Sequence, residues 1–451
     1  MKKLIYLTGL LIFFFRPVFS QTQPAAGANL SLPEALKFAL ANNETIKKAQ
    51  LDEKGADYKI KETKGSGLPQ INGTGTVTTY PALATQLLPG ELASQPGTLI
   101  PVQFGTKYNT SGGIQLQQLL FRKSFFIGLE AAHTTQDLYA LRTQMSEEEV
   151  IYNVSSAYLQ LLQTKEQFAT IDANFKRLEQ LEKILTLQYK NDVATKVQLN
   201  RVTVNKTNLE NNRQTLNAAY DQQLNALKFF MGMPMDQNVE VDDAAVVLDI
   251  PITTQDDARA VLAEKVNFKL LNTQKDLYKL NVKNISSGYT PSLSAVGNYS
   301  YNAQRNQFNF FDGNQPWFKA VSIGVQLNVP IFDGFQRKNQ IRQAQIEVDK
   351  VEQDIAQLTR NTQMELENAR TQIETSLSSI QAQERNVNLA QEVYRNTNDL
   401  YKEGLAPLTD VLDTEVNLRE AQTNLNSERL KYQLAQLTYL QAKGNLKSLL
   451  K

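Results

Sequence analysis

Alternating apolar and polar residues predict four strands in this chain. The clearest lies at about 320–332, where every second residue from Val321 to Ile331 is apolar and most residues between them are small or polar. A period of two is typical of a strand with one apolar face. Less regular alternation places the other strands at about 70–80, 109–121 and 292–302. Each has roughly the 9 to 11 residues that a tilted strand needs to cross a bilayer.

Two stretches without glycine or proline, 129–231 and 335–403, predict very long helices. In the second stretch an apolar or aromatic residue recurs at every seventh position from Leu366 to Tyr401, which indicates coiled-coil packing. A helix of about 65 residues would be roughly 100 Å long. Shorter helices are predicted at about 32–64, 196–231, 255–286 and 408–443.

The two halves of the chain follow one plan. Related phrases, GIQLQQLLFRK from Gly113 and GVQLNVPIFDG from Gly324, each end a strand and open a long helix. Farther along, an offset of 212 residues aligns Tyr189 with Tyr401. We therefore expect two repeats of helix, strand, loop, strand, long helix and return helix. They would cover 21–232 and 255–451 and be joined by an acidic linker at 233–254.

The N-terminus predicts export from the cytoplasm. Lys2 and Lys3 precede an apolar stretch from Leu4 to Phe15, so residues 1–20 are typical of a secretory signal peptide. The alternative is an uncleaved membrane anchor, although the stretch is shorter than the roughly 20 apolar residues that span a bilayer. The chain has no cysteine, so it forms no disulfide and is not a lipoprotein with a modified cysteine.

Composition argues against an enzyme and against a nucleic-acid-binding protein. The formal net charge of +1 gives no reason to expect a nucleic-acid partner. His133 is the only histidine, and no histidine or carboxylate cluster has the spacing of metal ligands. We therefore expect no catalytic residues, no cofactor and no bound metal.

If the four strands of this chain cross a bilayer, they need partner strands from outside the chain. Four strands cannot enclose a lumen, and an open sheet edge in lipid would leave backbone groups without hydrogen bonds. The chain must therefore assemble with copies of itself. Two copies would give eight strands with a filled interior, whereas three copies would give twelve strands and leave room for a pore.

The turn YKEGLAPLTDVLDTEV at 401–416 and the phrase that ends in Phe332-Asp333-Gly334 resemble the TolC-type outer-membrane efflux protein family. The resemblance covers essentially the whole mature chain. It implies an α+β membrane protein of the Gram-negative outer membrane. Three copies would form a 12-stranded transmembrane β-barrel in outer-membrane lipid, with four strands per chain, continuous with a long periplasmic α-helical coiled-coil barrel.

The same resemblance implies a function in transport. The homotrimer would be the exit duct of a tripartite efflux or type I secretion system. It would conduct substrates passively from an inner-membrane pump, through a periplasmic adaptor protein, to the exterior. The alternative is a non-conducting coiled-coil spacer of the envelope, or an adhesin, anchored by a barrel. The sequence leaves open the class of pump and whether the cargo is a small toxic molecule or a polypeptide.

By this resemblance, Asp410 and Asp413 would ring the periplasmic entrance and concentrate negative charge there. They share one helix face, and their simplest alternative role is to complement the dipole at a helix N-terminus. Tyr401 would help to latch the closed entrance between protomers, or would only end the heptad stripe. Ala406 replaces the family's arginine, and Gln198 stands where an aspartate is expected, so this latch should differ here.

Two helix-to-helix turns, 191–195 and 403–407, would form the tip on which the adaptor docks. Gly404 and Leu405 keep the family's pattern in the second turn. Asp192 and Val193 are their counterparts in the first turn, with Asp192 in the place of the glycine. We expect these four residues to contact the adaptor.

Overall fold

The computed structural model describes residues 29–89, 96–242 and 258–450. The predicted signal peptide and residues 243–254 of the predicted linker lie outside these ranges. The described strands are β1 (Asn29–Leu30), β2 (Gln70–Thr79), β3 (Thr85–Pro89), β4 (Leu99–Gln103), β5 (Tyr108–Phe121), β6 (Glu240–Val241), β7 (Ser292–Arg305) and β8 (Phe318–Asn328). The helices are α1 (Leu32–Asn42), α2 (Glu44–Gly65), α3 (Lys123–Lys190), α4 (Lys196–Met231), α5 (Ala258–Glu264), α6 (Val266–Ser287), α7 (Gln336–Lys402) and α8 (Leu408–Lys443), followed by a 3-10 helix (Leu446–Leu450).

Four strands form one antiparallel sheet in the order β2-β5-β7-β8. Because β5 pairs with β2 on one side and with β7 on the other, this sheet joins the two halves of the chain. The pairing of β5 with β7 is regular except for a bulge between Leu119 and Phe121. Strand β8 ends at Asn328 and not at about 332, because Pro330 has no N–H for a neighbouring strand. Long helices and a separate antiparallel sheet make this an α+β fold.

One face of β8 is apolar and uncovered. Val321, Ile323 and Val325 alternate along it, and the Ile323 side chain is 89% exposed. No described helix covers this face. Within the described ranges, β2 and β8 each also have one edge without a neighbouring strand. The sheet of a single chain therefore leaves apolar side chains and a row of backbone groups without partners.

Strands β3 and β4 form a separate hairpin between β2 and β5. Their pairing runs from Thr85 with Gln103 to Pro89 with Leu99. The sequence predicts only a loop here, and this prediction is wrong. Each strand has five residues and contains a proline, so the alternation is too short and too interrupted to stand out.

Each helix that precedes the main sheet is broken into two, although the sequence predicts single helices at about 32–64 and 255–286. Asn43 separates α1 from α2, and Lys265 separates α5 from α6. Both residues are extended, with φ of −60° and −62° and ψ of 131° in both cases. The Asn43 side chain accepts a hydrogen bond from the Thr45 amide at 2.7 Å and donates one to the Phe230 carbonyl at 2.8 Å.

The return helices end at these breaks. Helix α4 ends at Gly232 and α8 at Gly444, both in the left-handed conformation, with φ of 67° and 69°. A Cβ on Gly232 would lie 2.8 Å from the Asn42 carbonyl oxygen, so α4 abuts the junction of α1 and α2. A Cβ on Gly444 would lie 3.5 Å from the Lys265 side chain. In each half, two shorter helices thus meet end to end beside one long helix.

The largest hydrophobic core lies at the level of these junctions. It includes residues of β1, β6, α1, α3, α4, α8 and the 3-10 helix. The buried Tyr158 of α3 donates a hydrogen bond from its hydroxyl to the Leu30 carbonyl at 2.9 Å, which ties β1 to the long helix. A smaller core lies at the far ends of α3 and α4. Among the described helices, none has both the length and the apolar composition needed to cross a membrane.

Gly113→Ala should destabilise the sheet, whereas Gly112→Ala should not. A Cβ at Gly113 would lie 2.5 Å from the carbonyl oxygen of Tyr299 and 2.9 Å from the Cα of Ser300, so β5 and β7 would have to separate. Overpacking of this kind costs about 1–3 kcal/mol. At Gly112 a Cβ would meet no described heavy atom within 4 Å. Thermal denaturation followed by circular dichroism should show a lower midpoint for Gly113→Ala alone, and equal midpoints would contradict the described strand register.

Candidate functional site

The two helix-to-helix turns lie at the same end of the molecule. Residues 191–195 connect α3 to α4, and residues 403–407 connect α7 to α8. A single hydrophobic cluster joins them, because Leu185 of α3, Val202 of α4 and Leu408 of α8 are all buried in it. The fold thus brings together the site residues that the sequence places in separate halves of the chain.

Both turns have the same backbone geometry. Asp192 has φ of 61° and Gly404 has φ of 77°, so each ends its helix in the left-handed conformation. The next amide then reaches back to the helix: Val193 donates to the Gln188 carbonyl at 2.8 Å, and Leu405 to the Leu400 carbonyl at 2.9 Å. Asp192 can take the place of the glycine because aspartate tolerates positive φ better than most residues.

The helices after the two turns begin differently. Thr195 caps α4, and Gln198 completes a capping box, since its Oε1 accepts hydrogen bonds from the Thr195 amide at 2.8 Å and hydroxyl at 3.0 Å. The Gln198 side chain is therefore committed to the helix end. Helix α8 has Pro407 at this position and no side-chain cap. Asp410, the counterpart of Gln198, is exposed in its first turn and accepts a bond from the Thr409 hydroxyl at 3.3 Å.

Asp413 is exposed and lies in a groove between the starts of α4 and α8. From α8 the groove is lined by Thr409, Leu412 and Asp413, and from α4 by Val197, Asn200, Arg201, Val204 and Asn205. Asp413 thus shares the groove with a guanidinium group. In the described part of the chain, no hydrogen bond or ion pair engages the Asp413 carboxylate, which is available to other molecules.

Tyr401 is half-buried at the edge of the cluster formed by Leu178, Leu185, Leu408 and their neighbours. This burial raises the pKa of the Tyr401 hydroxyl, so the hydroxyl stays protonated as a hydrogen-bond donor. Among the described residues it has no hydrogen-bond partner. A latch through Tyr401 therefore needs an acceptor from outside the chain, which leaves that predicted role untested.

The tip exposes large apolar side chains. Val193 is 74% exposed and Leu405 72% exposed, and Val197 is exposed in the first turn of α4. Asp192 and Gly404, beside the first two, are exposed as well. The four residues predicted to contact an adaptor therefore form two equivalent surface points, one on each turn.

A buried polar layer above the turns was not found from the sequence. Glu415 of α8 is 2% exposed, Asn174 of α3 is fully buried, and neither side chain has a hydrogen-bond partner in the described part of the chain. Burial raises the pKa of Glu415, although Arg419 and Arg177 oppose the shift. Arg177 lies with its guanidinium 5.6 Å from the ring centroid of Tyr394 on α7. The only sequence signal is polar residues on otherwise apolar helix faces.

The described part of the chain offers no metal site beside these groups. Within its ranges, no three histidine, cysteine, aspartate or glutamate side chains are placed to hold a metal ion. The chemistry available at this end of the molecule is therefore charge, hydrogen bonding and apolar contact.

The sequence is similar to those of known proteins. Residues 266–450 match the family model described as Outer membrane efflux protein. The chain is 25% identical over 345 residues to the Outer membrane protein TolC of Vibrio cholerae, covering 74% of this chain and 77% of that protein. It is 24% identical over 443 residues to the Outer membrane protein TolC of Escherichia coli strain K12, covering 92% of this chain and 82% of that protein.

The fold is also similar to that of solved proteins. The solved structure of CusC, from a study of transmembrane channel formation, matches with a TM-score of 0.74 at 16% identity, over 94% of this chain and 96% of that one. At 16% identity, this match shows that the two chains share a fold. Together with the sequence matches, it confirms the resemblance carried by the turn at 401–416.

Gly404→Ala should loosen the second turn by about 1 kcal/mol, because a residue with a Cβ is strained in the left-handed conformation. No described heavy atom lies within 4 Å of a Cβ there, so the effect would come from strain and not from a clash. Hydrogen exchange of the Leu405 amide should become about fivefold faster, as such a loss of stability implies.

Gly55→Ala, inside α2, is the matched control. Its surroundings are equally open, but its backbone is helical, and alanine should stabilise the helix by up to about 1 kcal/mol. If Leu405 exchanged at the wild-type rate in Gly404→Ala, the left-handed turn would be wrong.

Proposed function

We infer that this chain is a TolC-type outer-membrane efflux protein and that it forms the exit duct of a tripartite efflux or type I secretion system. The observation that carries this function is the combination of an uncovered four-stranded sheet with helices of 68 and 67 residues in one chain. The similarity of the sequence to outer membrane efflux proteins supports an outer-membrane location for the sheet.

Closure of the sheet supports a homotrimer. In the described part of each chain, β2 and β8 have one unpaired edge each, and pairing these edges between copies would satisfy the backbone groups that lipid cannot. Three copies would close a barrel of twelve strands, which is wide enough to leave a pore, whereas an eight-stranded barrel is filled by its side chains. Cyclic symmetry makes the same edge contact three times.

The helices would extend this barrel into the periplasm. At ~1.5 Å per residue, α3 and α7 are each roughly 100 Å long. Their companions α2, α4, α6 and α8 pack beside them, which supports a continuous helical wall. In three copies such a wall would enclose a tunnel coaxial with the barrel. The two repeats, over 21–232 and 255–451, and the exported state of the mature chain belong to this proposal.

The turns would lie at the periplasmic entrance of the tunnel. Exposed Asp410 and Asp413, three copies of each, would give the entrance a negative potential that favours cations. Arg201, in the same groove as Asp413, would moderate that charge. Tyr401 would donate to a neighbouring protomer. Gln198 would not take part directly, because its side chain caps α4.

The exposed apolar side chains of the tip support a docking role. Val193 and Leu405 project at the two turns, and water-exposed apolar groups of this size favour contact with apolar residues of a partner. A periplasmic adaptor that bridges to an inner-membrane pump would pack its helices on these points and on the adjoining Asp192 and Gly404. Energy would come from the pump, and the duct would conduct passively.

Conductance tests this proposal. Purified protein in a planar bilayer should form cation-selective channels. The double variant Asp410→Asn, Asp413→Asn should lower the permeability ratio of K⁺ to Cl⁻ by roughly threefold or more, because it removes the fixed negative charge at the entrance.

Asp276→Asn is the control, since Asp276 is an exposed acid on α6, whose C-terminal end adjoins strand β7. It should leave selectivity unchanged. A protein that inserts but carries no current, in wild-type form and in both variants, would be a spacer or an adhesin and not a duct.

A further inference from the structure

We propose that Glu415 and Arg177 form a charge-controlled clamp between α8 and α3 that sets how the helices pack just above the entrance. This inference rests on the proposed function, because it assigns a control element to the same entrance. Neither residue is part of the exposed acidic pair or of the docking turns.

Glu415 is a buried acid without a hydrogen-bond partner among the described residues. It lies on α8 two residues after Asp413, but on the buried side of the helix, where it is 2% exposed. Neither carboxylate oxygen has a hydrogen-bond partner among the described residues. Buried carboxyl groups without partners are rare in folded proteins, since a charge there is poorly solvated. The described packing therefore suits the protonated, neutral form of Glu415.

Arg177 on α3 contacts an aromatic ring and has unused hydrogen-bond donors. Its guanidinium faces the ring of Tyr394 on α7, with 5.6 Å between the guanidinium carbon and the ring centroid. Its Nε and one terminal nitrogen are buried and have no hydrogen-bond partner in the described chain. The Arg177 guanidinium can therefore be engaged in two ways. It can face the Tyr394 ring on α7, or it can donate to the buried carboxyl group of Glu415 on the adjacent helix α8.

Asn174 marks the same layer from α3. It precedes Arg177 by three residues, hence on nearly the same helix face, and both polar atoms of its fully buried amide lack partners among the described residues. Three helices therefore meet around polar groups that the described packing does not satisfy. An apolar layer would favour one packing arrangement. This layer has unused hydrogen-bonding groups that can stabilise a second arrangement of the helices.

The charge of Glu415 would select between the two arrangements. When Glu415 is neutral, Arg177 faces Tyr394 of α7. When Glu415 loses its proton to solvent, the carboxylate requires a donor, and the N–H groups of Arg177 can supply a charge-assisted hydrogen bond. When the guanidinium of Arg177 moves from Tyr394 to Glu415, α3 loses a contact with α7 and gains one with α8.

The sign of the pH effect is set by the surroundings of Glu415. Burial raises its pKa, while Arg419 on α8 and Arg177 on α3 oppose that shift. Tyr394, the titratable group that faces it from α7, has a raised pKa for the same reason and stays neutral. The described packing is therefore most stable below the ordinary carboxyl pKa, and it loses stability as the pH rises through the raised value.

The proposal is tested by measuring the distance between the ends of α3 and α7. Lys190→Cys on α3 and Lys402→Cys on α7 provide the only thiols in a chain without cysteine, and both positions are exposed. Spin labels on one protomer, diluted into unlabelled full-length protein, report the distance between these ends by pulsed EPR across the range over which a carboxyl group titrates. Wild-type protein should show a titrating change in this distance. Glu415→Gln should keep the low-pH distance throughout, because glutamine matches the neutral acid in shape.

Arg177→Met should abolish the titrating change in distance, because the ionised Glu415 then has no guanidinium to draw from α7 to α8. The double variant Asp410→Asn, Asp413→Asn should keep the wild-type midpoint, because those acids are exposed. The proposal is overturned if wild-type protein shows no titrating change, or if Glu415→Gln shows the same change as wild type. It is also overturned if the Asp410 and Asp413 variant abolishes the change.

Bilayer conductance of the same samples separates this inference from the proposed function. A distance change that depends on Glu415 without any current would retain the clamp and reject the duct. Current without a distance change would retain the duct and reject the clamp.

Discussion

Pairing of backbone groups at the edges of a sheet is the constraint on which the rest of this structure depends. One chain builds β2-β5-β7-β8 and leaves two edges and an apolar face uncovered within the described ranges. In water such a sheet would aggregate, and in lipid its edges would be too costly to maintain. Assembly of copies removes both difficulties at once. At Gly113 the backbones of β5 and β7 lie too close to admit a Cβ, so the seam between the halves of the chain is tightly fitted at this point.

The helices of the two halves share a plan but not a chemistry. Both halves end their return helices with a left-handed glycine, and both long helices turn through a residue of positive φ. The two return helices differ in their first turns. The first half uses Gln198 to cap its helix, whereas the second leaves Asp410 exposed. The two halves therefore provide one turn followed by a capped helix and one followed by an exposed acid, at the same end of the molecule.

Periodicity explains which parts of the fold could be predicted. The strands of the main sheet and the two long helices repeat a simple pattern over many residues, and their places can be derived from it. The breaks at Asn43 and Lys265 cannot, because a single residue in an extended conformation leaves the helical pattern intact on both sides. The β3-β4 hairpin is too short to show a period. The placement of site residues on the two turns could be predicted, but the burial of Glu415 could not, since the order of residues does not state which helix face meets which neighbour.

The end-to-end contact of Gly232 with Asn42 has a consequence for how such chains can change in length. A long helix is matched by two shorter ones laid in line, so an insertion in α3 alone would leave a gap in the column beside it. Lengthening requires a compensating insertion in α2 or α4, in steps that preserve the seven-residue repeat. The same must then happen in α7 and its companions, because the turns of both halves lie at the same end of the molecule. A longer or shorter version of this chain would therefore need coordinated insertions in both halves, and the reach of its helical part would change in increments of about 10 Å per heptad.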